Sequence, residues 1–113
     1  MTSKLTTDIT AVGTSDTDCY VVPKNFKSII KNLMIANNDT SARTFTLKVF
    51  DKLANTTTTV LTNHSVDTKT NTSVFTLDKP LFLQSEDKII LSASVGSVVI
   101  ALITSEEFLD LTA

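Results

Sequence analysis

From Arg43 to Val49 polar and apolar side chains change places at every step, as Arg43-Thr44-Phe45-Thr46-Leu47-Lys48-Val49. Successive side chains of a β-strand point to opposite faces, so this period of two describes a strand with one wet and one dry face. Threonine fills 20 of the 113 positions and supplies much of the wet side. It is β-branched, stiff at χ1, and fits a pleated surface. The chain reads as all-β.

A chain of 113 residues forms one domain over positions 1–113, able to bury somewhat under ~70% of the surface its unfolded form exposes. Periodicity and turn chemistry predict about eight strands and no helix. Lys4 to Thr10 is a thin first strand, followed by turn chemistry at Gly13-Thr14-Ser15-Asp16, where glycine permits positive φ. Asp18 to Val22 is a second strand, stopped by Pro23, which cannot donate to a ladder. Phe26 to Asn37 is the longest, with Ile29, Leu33 and Ile35 assigned to one face and Ile30, Met34 and Ala36 to the other. Both faces are largely apolar, so it should be central or lie partly against a neighbour. Arg43 to Asp51 turns Phe45, Leu47 and Val49 inward, and Asn55-Thr56-Thr57-Thr58-Thr59 leads into Val60-Leu61-Thr62. Asn63 to Thr68 reads as loop; Thr70 to Leu77 alternates with Phe75 and Leu77 inward. Leu81 to Leu83 follows the break at Pro80, Lys88 to Ser94 follows a turn, and Val98 to Ile103 is apolar on both faces. That last run is expected to be central and covered on both sides. Short strands at this spacing predict a single-domain antiparallel β-sandwich, jelly-roll or immunoglobulin-like.

Reaction chemistry is scarce. His64 is the single histidine, which rules out a histidine metal cluster, and it sits in Thr62-Asn63-His64-Ser65, an expected exposed turn. Cys19 stands alone beside Tyr20 in an apolar strand, so it reads as a buried filler, and no internal disulfide can form. Asp8, Asp16 and Asp18 lack the spacing of a calcium loop and read as turn-capping carboxylates. The pairs Glu86-Asp87 and Glu106-Glu107 diverge on a strand, away from acid–base geometry. Two glycines cannot build a phosphate loop. The expectation is a protein without enzymatic activity, without cofactor and without metal.

A net charge of −2 and a pI near 5.2 provide no field for phosphate backbones, so nucleic acid is not an expected partner. The longest apolar run, Val98 to Ile103, is too short to span a membrane as a helix, and no secretory signal is visible, so synthesis in a cytoplasm is expected. Asn38-Asp39-Thr40, Asn55-Thr56-Thr57, Asn63-His64-Ser65 and Asn71-Thr72-Ser73 match the glycosylation triplet, a mild excess over the chance matches of a chain with 31 serines and threonines. They mark solvent-facing segments.

Two features favour contact over catalysis. Residues 104–113 carry Phe108, Leu109 and Leu111, a candidate docking tail that settles either on its own domain or on a partner. The Thr-rich segment Thr56 to Thr62, with Thr56, Thr58 and Val60, is a candidate open edge for strand addition by a neighbour, the alternative being a plain solvated edge.

The stretch from Tyr20-Val21-Val22-Pro23 through Phe26 to Ala36-Asn37 resembles small virion proteins of tailed bacteriophages, in which a strand ending in Val-Pro leads into a long apolar strand. The likeness continues through Leu81-x-Leu83, Glu86-Asp87-Lys88-Ile89-Ile90-Leu91 and the closing apolar strand, over residues 20–103. It carries no functional residue across. The resemblance implies a β-sandwich subunit of a phage particle, present in the virion in many copies or as a homo-oligomer, with the major capsid protein or another virion subunit as partner. Capsid decoration (cement) is the leading role; neck, tail and baseplate attachment are alternatives. A stand-alone carbohydrate-binding sandwich is a third reading, weakened by the absence of tryptophan and the single tyrosine.

Overall fold

Nine strands run through residues 3–110, the part of the chain that the computed structural model describes. They are β1 (Lys4–Ala11), β2 (Thr17–Val21), β3 (Phe26–Asn37), β4 (Arg43–Asp51), β5 (Thr56–Val66), β6 (Asn71–Phe75), β7 (Leu81–Leu83), β8 (Lys88–Ala93) and β9 (Val99–Leu109). One sheet has the order β1-β9-β3-β6, with β7 beside β6 on the same flank of β3; the other has the order β2-β8-β4-β5. Every pairing is antiparallel. The chain behaves as one long hairpin, β1 with β9, β2 with β8, β3 with β6 and β7, and β4 with β5. Rolling it up sends successive pairs to opposite sheets. This is the jelly-roll order, and it replaces the immunoglobulin alternative.

The inner faces close on each other through Ile30, Leu33 and Ile35 of β3, Phe45 and Leu47 of β4, Ile89 and Leu91 of β8, and Ala101 and Ile103 of β9, all essentially without solvent exposure. The bounds of β3 and β4 match the sequence reading, as do the inward positions of Phe45 and Leu47. The faces of β3 do not. A bulge between Ile30 and Asn32 shifts the register against β9, so Ser28 and Ile30 share the inner face with Leu33, Ile35 and Asn37. Ile29 turns outward instead. One extra residue in a strand flips every side chain after it, and the period of two cannot show where it falls.

Three further expectations change. Leu77 is 76% exposed at the tip between β6 and β7, where Thr76 and Lys79 close a turn through paired backbone bonds. Asn63 to Ser65 is strand rather than loop, because β5 carries two extra residues against β4, and one of them, Asn63, has φ of 47°. Gly13 does not have positive φ; a Cβ there would meet Thr17 Oγ1 at 3.3 Å, so close approach is what it provides. Asparagine takes three of the left-handed positions, at Asn25, Asn55 and Asn63, and Lys69, Glu86 and Ser97 take the others.

The candidate tail is a correction of another kind. Thr104 to Leu109 is the second half of β9, held by β1 on one side and β3 on the other. It docks on its own domain as the middle of a sheet. Truncation after Ser105 would strip Lys4 and Leu5 of β1 and Phe26 to Ile29 of β3 of their ladder partners. The shortened chain is expected to lose its cooperative thermal transition in circular dichroism, and a normal melt would show that β9 is dispensable.

Candidate functional site

In β9 odd-numbered side chains point into the sandwich and even-numbered ones away from it. Of the outward set Ile100, Leu102 and Phe108 are apolar, while Thr104 lines up with Thr7 and Asn32 in a polar row and Glu106 is charged. Ile9 of β1 lies opposite Leu102 of β9, which lies opposite Met34 of β3. One row along, Ala11, Ile100 and Ala36 line up in the same way. At the other end of the sheet, Ile29 faces Phe82 of β7, and Leu5 flanks Glu106 on β1. Leu5, Ile9 and Phe82 are 68%, 67% and 69% exposed. No part of the described chain covers this face.

Charge on it is sparse and mostly balanced. Lys31 Nζ sits 2.7 Å from Glu106 Oε1, and the Ser3 hydroxyl also donates to Glu106. The Lys31 bond, then the Ser3 bond, hold the Glu106 carboxyl below the ordinary carboxylate range. A hollow of about 430 Å³ opens between Phe82 and Phe108, floored by Ile29 with Lys27 and Gln84 at its rim.

Of the residues expected to make contacts, Phe108 is half-buried on this outer face, paired across to Lys27 of β3. Leu109, 42% exposed, ends β9 opposite Phe26. Leu111 lies outside the described residues. Thr56, Thr58 and Val60 are exposed along β5, which pairs only with β4 and forms the edge of its sheet. That edge is uneven. Val60 is one of the two extra residues of β5, opposite the step from Leu47 to Lys48. Bulges of this kind twist an edge away from regular strand addition. Thr56 to Thr59 and His64 to Val66 pair in unbroken register on either side of the bulges. By contrast β1 is an edge strand with continuous register from Lys4 to Ala11.

The remaining candidate groups are engaged structurally. His64 is an exposed β5 residue with its ring edge-on to Phe45 at 5.4 Å. Cys19 is buried, and burial, then the Asp18 charge, push its thiol up to about 11, far from a thiolate at neutral pH. Asp16 is bound by Lys48 at 3.0 Å and Asp18 by Lys88 at 3.3 Å. Among the described residues no group of three or more His, Cys, Asp or Glu could hold a metal ion.

One polar cluster was invisible to sequence reading because four strands build it. Past Ile103 the inward side of β9 becomes polar at Ser105 and Glu107, both buried. Tyr20 Oη of β2 donates to Glu107 Oε2 at 2.6 Å and lies 3.0 Å from Ser28 Oγ of β3. Lys4 Nζ stands 3.5 Å from Glu107 Oε1, and Thr6 Oγ1 shares a 2.7 Å bond with Ser105 Oγ. Burial, then the bond to Glu107, raises the Tyr20 phenol to about 12. Asp8 on β1 has a raised carboxyl pKa, first from burial and second from the Glu107 charge. These groups line the seam where the edge strands β1 and β2 leave the two sheets apart, around a hollow of about 250 Å³. Every buried side-chain polar atom among the described residues has a hydrogen-bond partner, so the cluster fastens the seam.

Tyr20→Phe is expected to destabilise the fold by about 1–3 kcal/mol in denaturant unfolding, since a buried carboxylate loses its donor. Adding Glu107→Leu should recover part of that loss; no recovery would mean that Glu107 is held mainly by Lys4. For Asp8 the raised pKa means that the fold favours the protonated form, so stability is greatest in acid and falls as pH rises through the raised value. Asp8→Asn should therefore melt a little higher than the parent chain at neutral pH and no higher below the pKa of the unfolded chain. A gain that persists undiminished in acid would exclude the charge as its source.

No family model matches the sequence, and no curated protein sequence matches it. Solved structures do. The chain is similar to one from the disulfide-linked pili of Bacillus endospore appendages, with a TM-score of 0.56 and 8% identity over 96% of this chain and 87% of that one. It is also similar to a chain of the T13 IBDV viral particle, with a TM-score of 0.53 and 8% identity over 97% of this chain, though it spans only 32% of that one. A pentameric capsid protein isolated from metagenomic phage sequences gives a TM-score of 0.45 at 16% identity, over 94% of this chain and 70% of that one. At these identities the first two likenesses establish a shared all-β sandwich fold.

Proposed function

We propose that this chain is a non-enzymatic structural subunit of a virion, most specifically a capsid decoration protein of a tailed phage that binds the shell noncovalently in many copies. The observation that carries the reading is a jelly roll whose buried side-chain polar groups are internally satisfied while the β5 edge and the end of β9 stay open. Such a surface suits lying against a large partner. Chains of the same fold come from a pilus and from a viral particle, and the motif resemblance over residues 20–103 points the same way. Fold alone assigns no function. The carbohydrate-binding alternative loses ground because Tyr20, the single tyrosine, is 5% exposed and faces inward, leaving no tyrosine or tryptophan platform.

Added interface stabilises a lattice by mass action. The contacts we assign to the shell are the β5 edge at Thr56, Thr58 and Val60, with Leu109 at the end of β9. In purified particles the chain is expected in proportion to the capsid subunit. Thr58→Lys with Leu109→Glu, both at exposed positions, should cut occupancy about tenfold or more while leaving the melting temperature within a few degrees. About six or twelve copies per particle would move the protein to the neck or baseplate. Absence from purified particles would sink the virion reading.

A further inference from the structure

Independently of any virion role, we infer that the outer face of the β1-β9-β3-β7 sheet is an interface with a second copy of this chain, packed sheet against sheet. Towards Val99, β3 and β9 are apolar on both sides, a pattern typical of strands covered on both faces. The sandwich covers only one. On the other, Ile9, Leu102 and Met34 form a continuous row across three strands, and beyond the polar row of Thr7, Thr104 and Asn32 a second apolar group gathers Leu5, Ile29 and Phe82.

Area and charge both select the occupant. The four strands, with eight, eleven, twelve and three residues at about 3.3 Å each and about 4.8 Å apart, outline a face of about 540 Å². Two copies would bury about 1,100 Å² between them, just above the roughly 1,000 Å² that a specific interface needs. A two-fold pair must meet the same patch on both sides, and charge on such a patch meets itself. Here the central charges, Lys31 and Glu106, neutralise each other within one chain at 2.7 Å, and Lys27 lies at the margin opposite Phe108. The face can therefore meet its own copy without burying a net charge. A strongly charged partner would find nothing to pair with, and a net charge of −2 offers no attraction to an anionic membrane.

The test is sedimentation equilibrium of the full chain with Ile9→Glu and Phe82→Glu. Both positions are more than two-thirds exposed in the single chain, so folding is not at risk, and circular dichroism melts verify it. The parent chain should sediment at twice its 12.3 kDa mass at micromolar concentration. Each variant should weaken the pair about a hundredfold, because each places two new carboxylates inside the interface. Leu53→Lys, 88% exposed in the turn between β4 and β5, should leave it intact. A monomeric parent chain would overturn the inference, as would a dimer that tolerates both face variants or one that Leu53→Lys dissociates. A monomer that still occupies particles overturns this inference alone. A face-dependent dimer absent from particles upholds it and removes the virion reading.

Discussion

Everything in this molecule hangs on β9 lying between β1 and β3. The ladder with β3 runs from Phe26 opposite Leu109 to Asn37 opposite Val99, and β1 takes the other side from Lys4 to Ala11. Inward, β9 supplies Ala101 and Ile103 to the apolar core, then Ser105 and Glu107 to the polar seam. Outward, the same strand supplies Ile100, Leu102 and Phe108. A single run of alternating side chains thus builds the hydrophobic interior, its polar fastening and the exposed face. The bulge near Lys31 keeps β3 in step with it, returning Leu33 and Ile35 to the inside.

The two ends of the sandwich are held by different physics. Towards Val99 the sheets close on hydrocarbon, and burial supplies the attraction. Asn37, 1% exposed, finishes that end by donating from Nδ2 to the carbonyls of Ser41 and Val66 and accepting from the Asp39 amide. Towards Glu107 the sheets meet through Tyr20, Ser28 and a carboxylate. A buried carboxylate is tolerable only when its oxygens are matched by donors, and here Tyr20 and Lys4 match them.

Much of the fold could be read from residue order, and the failures have specific causes. Clean alternation in Arg43 to Asp51 gave its bounds and its inner face. Phe26 to Asn37 gave its bounds but not its faces, because a bulge leaves no mark in hydropathy. Asn63-His64-Ser65 looked like loop because it is wholly polar, yet an edge strand with one solvated face can be polar throughout. Phe108 and Leu109 looked like a tail because position in the chain was taken for position in space. The apolar outer face was half legible: β3 and β9 each announced two apolar sides. Which side would stay bare depended on Ile9, Phe82 and Leu102 meeting across strands far apart in sequence.

The rolled hairpin also dictates when this protein can fold. In the β1-β9-β3-β6 sheet the strand that joins β1 to β3 is the ninth of nine. Until it has been made, β1 has no partner within its own sheet and β3 has only the short flank of β6 and β7. Non-local pairing must wait for closure of a loop that includes nearly the whole chain, which slows folding relative to local topologies. During that wait the apolar segments Phe26 to Asn37 and Lys88 to Ala93 are on display while their future cover is still being synthesised. The many threonines between them then act on a different problem from strand geometry, keeping an unfinished chain hydrated.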